Sequence, residues 1–187
     1  MTKSVLKTTL PSTIRSKRLV MRPLGDQDVA QLVVLANNKK IADVLARLPH
    51  PYGEEDAKFF INLANSDGEE KVWAITLDDT LVGVCGLTFS DDLSTPELGY
   101  WLGEPYWGQG IGSEAISALL NAVKETEKAA ELFARCLVSN KASKALLTKC
   151  GFVHQKTLTE ESGLHADKEM HHFLFNHKDE RIDNDLH

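Results

Sequence analysis

Apolar and polar positions follow two periods along this chain. Seven short runs, at residues 18–24, 71–77, 81–89, 96–102, 132–138, 152–157 and 169–175, are rich in Val, Ile, Leu, Phe and Trp and are bounded by polar, Gly or Pro residues. They predict strands. Helical spacing predicts α-helices over 26–46 and over 54–65, the latter with Ala57, Phe60 and Leu63 on its apolar side. A third runs through Ile111, Ala115, Ile116, Leu119, Leu120 and Val123, and a fourth covers 141–149. Asp78-Asp79-Thr80 separates two strands as a hairpin turn. Strands and helices in this order imply an α+β fold.

Chemistry concentrates where the strand at 96–102 ends and the third helix begins. Gly108, Gly110 and Gly112 alternate there, and residues without a Cβ let backbone amides approach a bulky anion. The amides of a helix's first turn lack intrahelical acceptors and sit at the positive end of its dipole, so the place suits phosphate. Ser113 adds a hydroxyl donor, and a diphosphate is the natural guest. Two familiar phosphate patterns are excluded: no Gly-Lys-Ser/Thr follows, and Gly108-Gln-Gly-Ile-Gly-Ser lacks the G-x-G-x-x-G spacing. Alternating glycines taken alone also fit a tight strand-to-helix turn.

Bulk properties narrow the field. The 187 residues suit one domain, with a core over about 16–176 and a polar tail at 178–187. No repeat divides them, and no apolar stretch approaches the roughly 20 residues of a membrane span. No leader-like segment opens the chain, so a cytoplasmic location is expected. The formal charge of −6 argues against broad nucleic-acid affinity and is compatible with a cationic amine substrate. Cys85, Cys136 and Cys150 lack C-x-x-C spacing and read as reduced, mostly buried thiols. His171-His172 lies in a strand, where neighbouring side chains point to opposite faces, and no metal is expected.

The stretch Trp107-Gly-Gln-Gly110-Ile-Gly112-Ser113-Glu-Ala resembles the pyrophosphate loop, Q/R-x-x-G-x-G/A, of the GNAT superfamily of acyl-CoA-dependent N-acetyltransferases. Trp107 departs from the Gln or Arg of that pattern, as is typical of the RimJ/RimL-like branch. Arg18-Leu-Val-Met-Arg22-Pro-Leu, Pro51-Tyr-Gly-Glu-Glu-Asp-Ala57, Val72-Trp-Ala-Ile75 and Asn140-Lys-Ala-Ser143 followed by Lys149-Cys-Gly151-Phe152 extend the likeness. The resemblance implies a mixed, mostly antiparallel sheet of about seven strands, with helices on both faces and a splayed parallel strand pair. It also implies acetyl-CoA as cosubstrate. Backbone groups around Trp101, Leu102 and Gly103 would hold pantetheine, Gln109, Gly110, Ile111, Gly112 and Ser113 the diphosphate, and Asn140 and Ser143 would complete the cofactor site.

The implied reaction is attack of a neutral amine on the thioester, with an oxyanion donor near Leu102. Glu97 matches the acidic position of the branch and is the candidate general base; a solvated strand-end carboxylate is its plainer reading, and Asp91, Asp92 and His50 are rivals. Leu147 stands where many of these enzymes place a tyrosine acid, which leaves the Ser143 hydroxyl as the candidate partner of the leaving sulfur. Asn140 is equally a helix N-cap, and Ser143 can bond its own helix. Glu54-Glu55-Asp56 is explained by helix capping. The leading reading is acetylation of a protein N-terminal α-amine of ribosomal-protein type. Acetylation of a small amine (an aminoglycoside, polyamine or metabolite) and a noncatalytic acyl-CoA sensor are the alternatives. The acceptor site is expected from the first helices and the loops 48–53, 90–95 and 159–167, and a homodimer is compatible with the resemblance.

Overall fold

The computed structural model describes residues 3–90, 95–126, 131–161 and 165–176. In chain order these form α1 (Lys3–Thr9), β1 (Ile14–Arg15), β2 (Leu19–Arg22), α2 (Val29–Ala36), α3 (Lys39–Ala42), α4 (Glu54–Ala64), β3 (Glu70–Leu77), β4 (Thr80–Thr88), β5 (Glu97–Leu102), α5 (Ile111–Glu125), β6 (Glu131–Leu137), α6 (Lys141–Lys149), β7 (Val153–Thr159) and β8 (Glu169–Asn176). Single 3-10 turns precede α2, at Asp26–Asp28, and follow β5, at Glu104–Tyr106. One eight-stranded sheet runs in the order β1-β2-β3-β4-β5-β6-β8-β7. Every pairing is antiparallel except β5 with β6. The seven expected strands are present, and the two-residue β1 adds an eighth.

The expected helix over 26–46 is broken. Asn37 leaves helical geometry at φ −73, ψ 56, and Asn38 restarts the chain as the N-cap of α3, its Oδ1 accepting from the Lys40 N–H. Asn side chains compete with helical backbone bonding in this way, and a periodicity count does not register it. The Asn37 Oδ1 also accepts from the Tyr52 N–H at 3.1 Å, fixing the start of the loop that leads to α4. Helix α1 was not anticipated either: it is one short helix whose signal is the buried pair Leu6 and Leu10. The hairpin at Asp78-Asp79 is as expected, with both residues at positive φ and Leu77 paired to Thr80, the geometry that a two-residue turn between twisted strands requires.

Two apolar layers sandwich the sheet. On one face Ile111, Ala115, Ile116 and Leu119 of α5 and Leu147 of α6 pack with Leu98, Leu132, Ala134 and Phe173. On the other, Leu32 and Ala36 of α2 and Ala57 and Ile61 of α4 cover Ala74 and Val84. Strand alternation carries this division into β5, where Leu98, Tyr100 and Leu102 join the α5 layer and Trp101 joins the α2/α4 layer.

Strands β5 and β6 pair only at Glu97–Phe133 and Leu98–Ala134. Beyond that point β5 continues against β4 as far as Leu102–Gly83, and β6 continues against β8 as far as Leu137–Met170. Each strand keeps its outer partner and loses its inner one, so a gap opens in the middle of the sheet.

Candidate active site

The gap is lined by backbone. The Gly103 N–H donates to Val82 O at 2.9 Å, toward β4, so alternation turns Trp101 the same way and Tyr100 and Leu102 toward the gap. Of the three residues expected to hold pantetheine, Leu102 therefore presents its backbone there, with Tyr100 beside it. Trp101 and Gly103 do not, and the Gly103 carbonyl accepts from the Tyr106 N–H. The Leu102 carbonyl accepts from the Trp107 indole Nε1–H at 2.8 Å, and its N–H is the donor that faces the gap. Trp107, the residue that departs from the family pattern, thus braces the mouth of the gap.

The glycine loop closes onto the N-terminus of α5. Gly108 and Gly110 lie at φ 72 and 75, the left-handed region, and Gly110 is the N-cap of α5. The first-turn amides of Ile111, Gly112 and Ser113 have no helical acceptor, because the ladder begins with Glu114 N–H to Gly110 O. Gly112 has a second use: a Cβ there would stand 2.6 Å from Leu146 Cδ1, so the missing side chain lets α6 approach α5. Gln109 turns its amide back to Pro105 O at 2.8 Å, tightening the loop instead of facing the helix terminus.

Arg18 and Glu114 hold the loop in place. The Glu114 carboxylate, on the first turn of α5, accepts from Ser16 Oγ at 2.6 Å, from the Arg18 N–H at 2.7 Å and from Arg18 Nε at 2.6 Å. Arg18 Nη2 reaches on to Gln109 O at 3.1 Å. Burial alone would push the Glu114 carboxyl up, but these hydrogen bonds outweigh it and hold it below the ordinary carboxylate range. Arg18 stood in the likeness at the start of the chain without a role; its contact spans 91 residues, which no local pattern reveals.

On the α5 side of the gap stands α6. Asn140 caps it, its Oδ1 accepting from the Ser143 N–H at 3.1 Å. The Ser143 Oγ is 2.6 Å from the Tyr100 hydroxyl. Leu147 is fully buried. Burial, opposed by the bond to Ser143, raises the Tyr100 phenol well above its usual range. Cys85, Cys136 and Cys150 are all free thiols, and burial raises each, Cys85 to about 12.

The opposite face carries an ion cluster. Glu97 receives Arg135 Nε at 2.8 Å and Nη2 at 3.1 Å on its two oxygens, and Arg135 Nη1 reaches Glu160 at 3.0 Å. His172 Nε2 lies 4.0 Å from the same Glu160 oxygen, and its ring rests against Phe133. That nitrogen is buried without a hydrogen-bond partner among the described residues, and the buried His165 ring lies near the Val44 backbone. Burial first, and then Lys168 for His165 and Arg135 for His172, hold both histidines below the usual imidazole range. Composition and spacing concealed this cluster, since Glu97 and Arg135 are 38 residues apart and Glu160 a further 25.

His171 lies on the other face, its Nδ1 2.9 Å from Thr157 Oγ1. His50 is exposed on the loop before α4. The acidic start of α4 caps that helix, with Asp56 accepting from the Gly53 N–H at 2.8 Å. Asp91, Asp92 and the tail at 178–187 lie outside the described residues, as do parts of the loops 90–95 and 159–167. Among the described residues, no three His, Cys, Asp or Glu side chains come together as a metal site, and no helix is long and apolar enough to cross a membrane.

Known proteins share this architecture. The ribosomal-protein-serine acetyltransferase of Escherichia coli (strain K12) is 30% identical over 111 residues, 57% of this chain and 62% of that protein. The chain thus matches less than two thirds of that relative's length. The FsC-acetyl coenzyme A-N(2)-transacetylase of Aspergillus fumigatus is 24% identical over 157 residues, 78% of this chain and 66% of that protein. Among solved structures, the microcin C7 self-immunity acetyltransferase MccE, in complex with acetyl-CoA and AMP, superposes with a TM-score of 0.78 at 22% identity, over 90% of this chain and 99% of its own. RimL, the ribosomal L7/L12 α-N-protein acetyltransferase, in complex with coenzyme A, gives 0.75 at 21% identity, over 89% and 97%. At these identities the superpositions establish the fold. The acetyltransferase (GNAT) domain model matches residues 18–153, most of the chain and all of the gap, loop and α6 described above, and the chain belongs to the GNAT acetyltransferase family.

Proposed function

We propose that this protein transfers the acetyl group of acetyl-CoA to a primary amine in a ternary complex, and that the acceptor is a protein N-terminal α-amine. The observation that carries the reaction is the meeting of the β5/β6 gap with the left-handed Gly110 cap of α5. An extended amide-bearing chain fits the first, and a diphosphate fits the second.

The two faces then divide the work. Acetyl-CoA supplies the activated acyl group. The Leu102 N–H is the donor for charge developing on the carbonyl oxygen, and Ser143 faces the sulfur from the α6 side. Glu97 stands on the opposite face. A carboxylate offers about four lone-pair sites, and Arg135 occupies two, so each Glu97 oxygen retains one for a water that takes the amine proton. An α-amine, with a reference pKa of about 8, yields that proton more readily than a lysine at about 10.4. The E. coli relative, named for a ribosomal-protein serine, supports the protein acceptor. The Aspergillus relative aligns over more of this chain and is named for N(2) transacetylation with no ribosomal protein in its name, which keeps a small-amine acceptor as the second reading.

Thermal unfolding with acetyl-CoA at about a hundredfold over Kd should show a rise of about 5 to 10 °C. Thiol release with N-terminal peptides, and not with small amines, supports the full reading. Turnover of one small amine with every peptide silent replaces the acceptor, and a folded protein with no thermal shift removes the reaction.

A further inference from the structure

We infer that Tyr100 is a positioning residue that sets the Ser143 hydroxyl as a hydrogen-bond donor to the departing sulfur, an inference that rests on the acetyl-transfer reading above. Ser143 is held at its backbone and at its hydroxyl. Its N–H is committed to Asn140 Oδ1, its Oγ meets the Tyr100 hydroxyl at 2.6 Å and hydrogen-bonds the Cys136 thiol, and its carbonyl lies 3.5 Å from the same Tyr100 hydroxyl. Either hydroxyl can donate across this contact; the donor role is assigned to Tyr100, the phenol being the stronger donor, with the Ser143 oxygen accepting. The single Ser143 hydrogen is thereby turned away from Tyr100 and toward sulfur, to the Cys136 thiol in the unliganded protein and to the departing sulfur when the cosubstrate is bound.

Tyr100 occupies the position in β5 that turns its backbone to the gap, while its ring packs in the layer under α5 and α6. The hydroxyl pair therefore spans the gap from β5 to α6, on the face opposite Glu97 and Arg135. The charged and titratable groups around it are Cys136 of β6, Lys144 of α6 and Cys150 at the end of α6. None is an acid poised to give up a proton, since burial raises both thiols and the phenol alike. The pair acts by hydrogen bonding without giving up a proton. The amine nitrogen bonds to the acyl carbon and its proton leaves through water toward Glu97. The electron pair of the broken C–S bond stays on sulfur, where the Ser143 O–H stabilises it, and solvent neutralises the thiolate on release. A fixed donor of this kind does part of what a tyrosine at position 147 does in other family members, with Leu147 filling core instead.

The test reads the ionisation of bound coenzyme A by its thiolate absorbance, as a difference between protein with and without the ligand. In the wild type the bound thiol should ionise at lower pH than free coenzyme A. Tyr100→Phe and Ser143→Ala should each move it back up by about one pH unit, and the double variant should move it no further than either. With an amine acceptor, Tyr100→Phe should lower kcat about tenfold while leaving KM for acetyl-CoA within about twofold. A Tyr100→Phe titration that overlays the wild type, or shifts that add in the double variant, overturns the positioning role. Thermal unfolding of each variant confirms that it is folded. Failure of the wild type to bind coenzyme A at all overturns the acetyl-transfer reading too, and is seen before any titration begins.

Discussion

Gly110 and Gly112 show how two residues of one type, two positions apart, meet different demands. At Gly110 the demand is conformational and electrostatic: φ is 75, and open space beside the amides extends to Arg18 Nη2 at 3.7 Å. Gly110→Glu places a strained, negatively charged side chain in the cradle, and the thermal shift with acetyl-CoA should vanish while the protein stays folded. A retained shift would remove the loop from cofactor binding. At Gly112 the demand is packing, with Leu146 Cδ1 at 2.6 Å and Leu102 Cδ1 at 3.3 Å from a built Cβ. Gly112→Val should therefore lower stability by about 1–3 kcal/mol in chemical denaturation; an unchanged midpoint would mean that α6 moves freely from α5. Glu97→Gln keeps the size of the side chain but not its basicity. Turnover should fall about a hundredfold with the acetyl-CoA shift intact, and wild-type rates would leave Glu97 only its ion pair with Arg135.

Among the elements, the join between β2 and α2 carries a charge in the interior. Asp28 is 3% exposed and receives Arg22 through two bonds of 2.8 Å, with a third from the Gly25 N–H at 2.9 Å. Removing one partner of such a pair strands the other, so Arg22→Ala should destabilise by about 3 kcal/mol, measured by urea unfolding; a loss under about 1 kcal/mol would show the pair to be surface-like. This join also marks how far the sequence can be read. Periodicity locates α4, α5 and α6, which each bury one face, and apolar runs locate the long strands, although β7 is exposed at every position and is found by its composition and by its pairing with β8. The glycine loop is legible for a similar local reason, since positive φ admits few other residues. What periodicity misses is settled by contacts remote in sequence: the Asn37-Asn38 break in the first helical stretch answers to Tyr52 and Glu104, and Ser143 finds Tyr100 across 43 residues. Alternation shows that Glu97 and Tyr100 face opposite sides of the sheet. Which helices cover each side, and that Arg135 holds Glu97, follow only from the strand order.

At the scale of the whole molecule, the sheet separates two chemistries, and the acid response of the fold reports one of them. His165 and His172, on the Glu97 face, are held below the ordinary histidine range, chiefly by burial. Glu160 opposes that depression at both sites and does not overcome it. A histidine depressed in the folded state binds fewer protons than the same residue in the unfolded chain, so its contribution to stability is complete above the unfolded value of about 6.5 and falls as pH drops below it. Glu114 also loses stability in acid, but its carboxyl is held below the ordinary range, so its loss begins only below about 4.3. Between about pH 7.5 and 5.5 the histidines are thus the groups expected to set the slope. The unfolding temperature should decline across this window, and His165→Gln with His172→Gln should flatten the decline. The increase produced by acetyl-CoA should persist throughout, because the glycine loop and the α5 terminus lie on the other face. A decline of equal slope in the double variant would detach it from these histidines, and loss of the acetyl-CoA increase in step with it would show the two faces of the sheet to be coupled.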